Sequence, residues 1–246
     1  MNNLGPAQPI VGAPRNEGCR KTISVMTKKI AALGAMKGRR LLDVGCGDGS
    51  FTIALSAGFE EVHGIDVQDD WLEKFRVRVR GEGRFHVHRM SASAMEFGDN
   101  YFDTLISIET IEHIPDLLKA ADEFHRVLRP GGQLVMTCPN RLFPFENHGI
   151  RIGHWVYAKR VPLLTYLPLL HDRWSLARVF TVRTLDRIFQ SRGFVRQAVD
   201  YVWPTFEHGG NRFQSLLKPL FGVMRQMESS PFKMFGTSVI TRYVKP

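Results

Sequence analysis

The sequence predicts an α/β fold in which a mostly parallel sheet is covered by helices on both faces, and three observations support this. Short apolar runs alternate with helical patterns over residues 38–140. A glycine-rich turn directly follows the first of these apolar runs. The 246 residues, 43% hydrophobic and 23% charged, suit one globular domain with insertions. This composition excludes a disordered tail, a collagen-like chain and a disulfide scaffold.

The elements of the first half follow in order along the chain. Residues 1–19 are rich in Pro, Gly and Asn, which predicts a flexible N-terminus, and apolar residues at three- and four-residue steps then predict an amphipathic helix over residues 20–36. The predicted strands are Leu41–Val44, Val62–Ile65, Phe85–Val87, Thr104–Ile108 and Leu134–Thr137. The predicted helices between them are Ser50–Ala57, Asp69–Val79 and Pro115–Leu128. Residues 128–132, with the sequence LRPGG, predict a sharp turn into the last of these strands.

The second half of the chain differs in composition. Residues 141–246 hold 17 of the 26 aromatic residues, and a Pro-, His- and Arg-rich stretch over 141–172 interrupts the regular alternation. The predicted elements that follow are the helix Val182–Gln190, the strand Gln197–Val202, a helical segment over Phe213–Met227 and the closing strand Thr237–Val244.

Cysteine usage and hydropathy bear on the compartment. Cys19, Cys46 and Cys138 are widely spaced and form no CxxC pair, so neither a disulfide framework nor a zinc ribbon is predicted. The chain contains no window of eighteen apolar residues, and its first residues lack the pattern of a secretory signal. These features predict a cytoplasmic protein.

The net charge of +9 is unevenly distributed. Residues 1–40, 141–200 and 201–246 carry +7, +6 and +4, whereas residues 41–140 carry −8. This asymmetry indicates a partner with negative charge, although a solvated basic surface explains it equally well.

A glycine-rich loop and an acidic residue point to a bound nucleoside. Gly45, Gly47 and Gly49 follow the first strand in the pattern GxGxG, and Asp66 ends the second strand. Small residues let the backbone approach a ligand at the carboxyl edge of a sheet, where a carboxylate at the second strand end accepts hydrogen bonds from ribose hydroxyls. The loop alone is a weak signal, whereas its pairing with Asp66 is a strong one.

The motifs of residues 38–140 resemble, in order and in kind, those of class I S-adenosylmethionine-dependent methyltransferases. The closest resemblance is to the type 11 branch, which includes small-molecule O-methyltransferases of ubiquinone biosynthesis. The motifs are Asp43–Gly49, Gly64–Asp66, Asp99–Asp103, Glu109–His113 and Leu128–Gly132.

This resemblance implies a Rossmann-like doubly wound sheet of seven strands, the last antiparallel, within a single methyltransferase domain over residues 20–246. Its cofactor-binding core would be residues 38–140. Residues 20–36 and 141–180 would form a lid on the acceptor side, and residues 205–235 a helical insert.

The resemblance also implies roles for single residues. Gly45 and Gly47 would surround the methionine part of S-adenosylmethionine, Asp43 would hold its amino group, and Asp66 its ribose. Ser91 stands where the family has an Asp that accepts from the adenine amino group. The full set of cofactor-binding candidates is Asp43, Gly45, Cys46, Gly47, Gly49, Asp66, Val67, Ser91, Ala92, Ile108 and Glu109.

The catalytic candidates follow from the chemistry of methyl transfer to a hydroxyl group, which must lose its proton to a base or to a metal ion. His113 and His148 are candidate bases, and Arg141 is a candidate clamp for an anion. Glu109, Glu112 and His113 form a Glu-x-x-Glu-His motif that could instead hold Mg²⁺, as the resemblance to quinone O-methyltransferases implies.

The basic and aromatic lid leaves three acceptors open. The first is an apolar or aromatic small molecule with an anionic group, methylated on oxygen. The second is a lipid or quinone-type acceptor reached by a peripheral enzyme at an anionic membrane surface. The third, which the sequence favours least among enzymes, is RNA. A binding protein of the same fold without enzymatic activity is the remaining alternative.

Overall fold

The architecture was taken from a computed structural model, which describes residues 17–34, 36–157, 161–203 and 227–246. The helices are α1 (Glu17–Ala32), α2 (Ser50–Leu55), α3 (Asp69–Arg78), α4 (Leu117–Val127), α5 (Pro168–Trp174) and α6 (Val182–Gln190). The strands of the main sheet are β1 (Arg40–Val44), β2 (Glu61–Asp66), β3 (Phe85–Arg89), β4 (Phe102–Ile108), β5 (Leu128–Pro139), β10 (Val195–Val202) and β11 (Ser238–Val244). The short strands of the insert between β5 and α6 are β6 (Phe145–Glu146), β7 (Ile150–Ile152), β8 (Trp155–Tyr157) and β9 (Val161–Pro162).

The seven strands of the main sheet lie in the order β10-β11-β5-β4-β1-β2-β3. β3, β2, β1, β4 and β5 run parallel, whereas β11 pairs antiparallel with both β5 and β10. The predicted doubly wound sheet with an antiparallel last strand is therefore confirmed. Because the chain order reverses between β1 and β4, their carboxyl ends flank the crevice where ligands bind in such sheets.

Helices cover both faces of this sheet. Met26, Phe51 and Phe75 belong to α1, α2 and α3 and pack in one apolar core against the strands. Phe124 and Phe189, from α4 and α6, pack in the core on the opposite face. Burial on both faces explains why the central strands are mostly apolar, and the buried polar side chains that they carry, such as Asp43 and Ser107, have hydrogen-bond partners.

Several predicted boundaries are corrected by the structure. The first helix ends at Ala32 and not at residue 36, because Gly34 takes a φ of 122° that a helix cannot continue. The helix predicted to reach Ala57 ends at Leu55. Residues 128–132 are already part of β5, where Gly131 donates to the Lys245 carbonyl at 2.7 Å, so the chain end after β11 pairs with the predicted turn.

The insert between β5 and α6 is closed at its base. The backbone amide of Arg141 donates to the carbonyl oxygen of Phe180 at 2.9 Å. The backbone amide of Phe180 donates to the carbonyl oxygen of Pro139, also at 2.9 Å. Within the insert, β6 pairs with β9 and β7 pairs with β8. Most of the helical segment predicted over Phe213–Met227 lies outside the described residues, as do residues 1–16.

None of the helices that the structure describes combines the length and the apolar character needed to cross a lipid bilayer.

Candidate functional site

The glycine loop after β1 has a backbone that requires glycine. Gly45, Gly47 and Gly49 have φ angles of 76°, 51° and 75°. A Cβ atom at Gly45 would lie 2.2 Å from Thr110 Cγ2, and one at Gly49 would lie 2.1 Å from the Phe75 ring. Side chains of neighbouring elements therefore pack against the loop on the side where Cβ atoms would project. A ligand on the other side would contact the backbone of the loop.

Asp66 connects this loop to the end of β2. Its Oδ2 accepts a hydrogen bond from the Gly47 amide at 3.0 Å, and its Oδ1 accepts one from the Gln68 amide at 3.0 Å. Because a carboxylate offers about four lone-pair sites, two remain for the hydroxyl groups of a ribose. Asp66 therefore lies where the sequence predicts it and has the acceptor capacity that this role needs.

The other cofactor candidates lie along the same edge of the sheet. Asp43 is buried in β1 and accepts from the Thr52 hydroxyl at 2.6 Å. Cys46 and Ile108 are buried, whereas Val67 is exposed. Ser91 and Ala92 follow β3 beside Asp66, whose carbonyl oxygen accepts from the Met90 amide at 3.0 Å.

Glu109 follows β4 with an unusual backbone. Its φ of 50° is one of three positive values among the described non-glycine residues, and its amide donates to the Thr137 carbonyl on β5 at 3.0 Å. Such strain persists only where the surroundings impose it, and it often marks functional sites. The next residue, Thr110, packs on Gly45, so the loop after β4 and the glycine loop form one continuous surface.

Glu109 and Glu112 bring two carboxyl groups into a buried place. Glu109 Oε1 and both carboxyl oxygens of Glu112 have no hydrogen-bond partner among the described residues. Burial raises the pKa of Glu109, against the opposing effects of Thr137, His148 and Ser238. Burial and the charge of Glu109 raise the pKa of Glu112 well above its ordinary value. The pair therefore holds protons at a pH where isolated glutamates are ionised.

His148 lies beside this carboxyl pair. Glu109, Glu112 and His148 each place a ligand or proton-accepting atom within 4.8 Å of the other two. His148 comes from the insert, whereas the two glutamates come from the loop after β4. The fold thus assembles the three groups from distant parts of the chain.

A buried carboxylate orients the His148 ring. Glu146 Oε1 lies 3.2 Å from His148 Nδ1, and Glu146 Oε2 lies 2.6 Å from Nε2 of the buried His171. Although burial raises the pKa of Glu146, its hydrogen bonds with the two histidines lower it to about 2, so it is ionised at neutral pH. Because Nδ1 is engaged by Glu146, Nε2 of His148 is the nitrogen left to take a proton.

His113, the other predicted base, lies outside this group of three. It is exposed, and its ring centroid is 6.0 Å from that of His148. Contact with surrounding protein, followed by repulsion from His148 and Arg178, lowers the pKa of His113. A lower pKa makes the His113 ring a weaker base.

Two arginines lie at the loop after β4 and at the base of the insert. The Arg178 guanidinium donates to the carbonyl oxygens of Ile111 and Ile114 and so holds the loop that carries Glu112. Arg141 directly follows the buried Asn140, and its Nη2 is buried without a partner among the described residues. Arg141 therefore retains a donor for an anionic or carbonyl oxygen of a ligand.

Sequence reasoning missed Glu146, His171 and Arg178 as site residues. Glu146 and His171 are 25 positions apart, and no local motif relates them. An acidic residue two positions before a predicted base was the only available signal, and it is too common to be informative.

Comparison with known proteins agrees with this geometry. Residues 42–136 match the family model described as a methyltransferase domain. A demethylmenaquinone methyltransferase of Geobacillus kaustophilus is 35% identical over 176 residues, which cover 66% of this chain and 74% of that protein. That of Bacillus pumilus is 32% identical over 139 residues, which cover 54% of this chain and 58% of that protein.

A similar fold is found among solved structures. The S-adenosylmethionine-dependent methyltransferase of Mesorhizobium loti superposes with a TM-score of 0.62 at 18% identity, covering 88% of this chain and 96% of that one. The chain belongs to the class I S-adenosylmethionine-dependent methyltransferases. Its glycine loop and the open acceptor sites of Asp66 fit this cofactor.

The buried Glu112 carboxyl group leads to a pH-dependent stability. Its folded-state pKa is raised above the value in the unfolded chain, so the folded state binds the extra proton, and stability falls as pH rises through that folded pKa. Glu112→Gln removes the titration while keeping the shape. We expect the free energy of unfolding of the variant, minus that of the unsubstituted protein, to be larger at pH 8 than at pH 5, so that the variant gains relative stability as the pH rises.

Urea unfolding of both proteins without ligand at the two pH values measures this difference. Glu73→Gln is the matched control, because Glu73 is an exposed residue of α3 in an ion pair with Arg76. A difference between the Glu112 variant and the unsubstituted protein that does not change with pH would contradict the prediction.

Proposed function

We propose that this protein transfers the methyl group of S-adenosylmethionine to a hydroxyl oxygen of an apolar, aromatic small molecule that carries an anionic group. The observation that carries the proposal is the grouping of Glu109, Glu112 and His148 beside the glycine loop. This grouping sets a proton acceptor beside the crevice between β1 and β4, where the chain order of the sheet reverses and where we propose that the cofactor binds.

The cofactor supplies a methyl group on a sulfonium, which an acceptor oxygen displaces in line. The protein's contribution is therefore to hold the acceptor at a short distance and to exclude water. The loop after β4, held by Arg178, and the insert closed between Pro139 and Phe180 form the walls that do this.

His148 removes the proton of the acceptor hydroxyl. Nε2 takes this proton, and the ionised Glu146 stabilises the resulting imidazolium through Nδ1. His171 holds the other oxygen of Glu146 and so fixes its orientation. The arrangement resembles other histidine bases that a carboxylate orients.

A Mg²⁺ ion fits this place poorly. Mg²⁺ prefers oxygen ligands and usually keeps several of its water molecules. Glu112 is only 3% exposed, which leaves little room for bound water, and the third member of the group is an imidazole. We therefore derive no step through a metal ion and expect the activity to be insensitive to EDTA.

The acceptor is inferred from its surroundings. The curated relatives are named as demethylmenaquinone methyltransferases, a name that indicates an acceptor of the quinone type in those proteins. The buried, unpartnered Nη2 of Arg141 offers a donor to an anionic or quinone oxygen. The name of the relatives supports an apolar acceptor of the quinone type, and the Arg141 donor is the observation that supports an anionic group on it.

Incubation with radiolabelled S-adenosylmethionine and fractionated cell extract tests the proposal. We expect the label in the fraction of apolar small molecules, in a methyl ether that alkaline hydrolysis does not cleave. EDTA should not reduce the amount of label transferred. Label in RNA would overturn the acceptor class, and label on carbon would overturn the choice of oxygen. Absence of S-adenosylmethionine binding by calorimetry would overturn the whole proposal.

A second candidate function is the same reaction on a lipid or quinone-type acceptor at an anionic membrane surface. The insert exposes large apolar side chains, with Trp155 84% and Leu169 87% accessible to solvent. Arg151 and Arg173 lie on the same insert and are exposed. Exposed apolar residues among basic ones are typical of a surface that inserts into lipid headgroups.

Vesicle sedimentation tests this second candidate. We expect the protein to pellet with vesicles that contain anionic lipid and the double substitution Trp155→Ala/Leu169→Ala to reduce the pelleted fraction several-fold. Leu118→Ala, at an exposed apolar residue of α4, is the control and should pellet normally. Equal pelleting of the double variant and the control would contradict the role of the insert.

A further inference from the structure

A second cluster of ligating side chains lies outside the methyl-transfer site, on one face of β2 and the edge strand β3. We propose that Glu61, His63 and His86 form a binding site for a divalent transition-metal ion of the zinc type. The site would join the edge strand of the sheet to its neighbour through side chains, independently of the reaction.

The strand register brings these residues to one face. His63 on β2 pairs directly with His86 on β3, and the two strands are parallel. Glu61 lies two residues before His63, and side chains two apart on a strand share a face. The pattern therefore places two imidazoles and a carboxylate side by side.

The distances suit a metal ion after a small adjustment. Glu61, His63 and His86 each have a ligand atom within 4.8 Å of the other two, and His63 Nε2 is already 2.8 Å from Glu61 Oε1. Tetrahedral zinc with bonds of about 2.0–2.1 Å needs ligand atoms about 3.4 Å apart. His86 is exposed, so its side chain is free to move inward until its ligating nitrogen is about 3.4 Å from the other two ligand atoms.

His88 fixes the orientation of His63, the buried residue among the three proposed metal ligands. Its Nε2 lies 3.0 Å from His63 Nδ1, and the two rings are stacked at an interplanar angle of 6°. With Nδ1 engaged in this way, His63 presents Nε2 towards Glu61. A second partner on the non-ligating nitrogen is what metal-binding histidines usually have.

Glu61 is also held in place by hydrogen bonds. Its Oε1 accepts from the Tyr101 hydroxyl at 2.8 Å, and its Oε2 accepts from Arg40 Nε at 2.9 Å. The carboxylate therefore has a fixed position before any ion binds, which reduces the cost of ordering it.

The donor set selects the class of ion. Two imidazole nitrogens and one carboxylate suit Zn²⁺, Co²⁺ or Ni²⁺, whereas Mg²⁺ and Ca²⁺ prefer all-oxygen sites. Three protein ligands leave a fourth position for water, as the exposure of His86 allows.

Titration of the untagged, EDTA-dialysed 246-residue chain with Co²⁺ tests the site. We expect one tightly bound ion with the strong visible absorption of a tetrahedral complex, displaced by Zn²⁺. His86→Ala should raise the dissociation constant more than about 100-fold, and His88→Ala about 10- to 100-fold through loss of orientation. His86 is exposed on an edge strand, so its substitution leaves the fold intact, which circular dichroism verifies.

Two control variants make the result specific. His154→Ala changes an exposed histidine outside the cluster, and His148→Ala removes the histidine of the methyl-transfer site. Both should bind Co²⁺ as the unsubstituted protein does. Undiminished binding by His86→Ala, loss of binding in His148→Ala alone, or no tetrahedral absorption at all would overturn the proposal.

Discussion

Replacing Asp66 with alanine is expected to weaken the binding of S-adenosylmethionine by at least about 100-fold. Each hydrogen bond to a charged group contributes about 1.5–3 kcal/mol, and the substitution removes the carboxylate that we propose accepts from two ribose hydroxyls. It also removes the acceptor of the Gly47 and Gln68 amides, so that only the backbone hydrogen bonds to the Ile65 carbonyl oxygen among those described still hold the glycine loop to the end of β2. Isothermal calorimetry measures the change in affinity.

Two further variants separate these effects. Asp66→Asn keeps one acceptor oxygen and should bind with intermediate affinity. Asp69→Ala changes an exposed carboxylate three residues later, paired only at the surface with Arg89, and should bind normally. Unchanged affinity of Asp66→Ala, with thermal unfolding showing a folded protein, would refute the role of Asp66.

Replacing His148 with alanine is expected to lower kcat by about 100- to 10,000-fold while leaving the affinity for S-adenosylmethionine unchanged. This prediction rests on the proposed reaction and on the position of the ring beside Glu109 and Glu112. Because alanine leaves a space where the ring stood, added imidazole should restore part of the rate. Single-turnover kinetics with the identified acceptor measures the effect.

Glu146→Gln tests the positioning role separately. Glutamine keeps the shape but cannot stabilise an imidazolium, so we expect a smaller fall in kcat and a shifted pH profile, with KM little changed. His154→Ala, at an exposed histidine of the same insert, is the control and should have normal kinetics. A normal rate in His148→Ala would exclude this residue as the base and return the question to His113.

The sheet and the glycine loop were predictable from the sequence because their signals are local. The apolar runs of β1, β2 and β4 predict strands directly, and GxGxG and Asp66 belong to one strand–helix–strand unit of the chain. Boundaries were less predictable, because they depend on distant partners. The residues 128–132 belong to β5 since Gly131 pairs with the far end of the chain at Lys245.

The base was harder to predict because the insert determines its surroundings. The sequence offered His113 and His148 equally, both near strand ends. Only the folded insert brings His148 to the carboxyl pair and places Glu146 and His171 behind it. Residues that meet across such distances leave no periodic or adjacent pattern in the chain.

The acidic and basic segments of the chain fall in different parts of the structure. Three of the acidic residues of 41–140, Asp66, Glu109 and Glu112, lie at the end of β2 and directly after β4, where we propose that the cofactor binds. The basic segments lie outside this core, and Lys159 and Arg160 of the insert are outside the described residues. An anionic acceptor or membrane surface remains our proposal for what meets them.

The sequence by itself determined the class of fold, the glycine loop and the acidic residue at the end of β2, because hydrophobic period and motif spacing act between neighbours in the chain. The tertiary structure alone decided which histidine joins the buried carboxyl pair and which three residues of β2 and β3 could hold a metal ion. The physical reason is that strand register and the path of the insert, not chain distance, set the separations between these side chains.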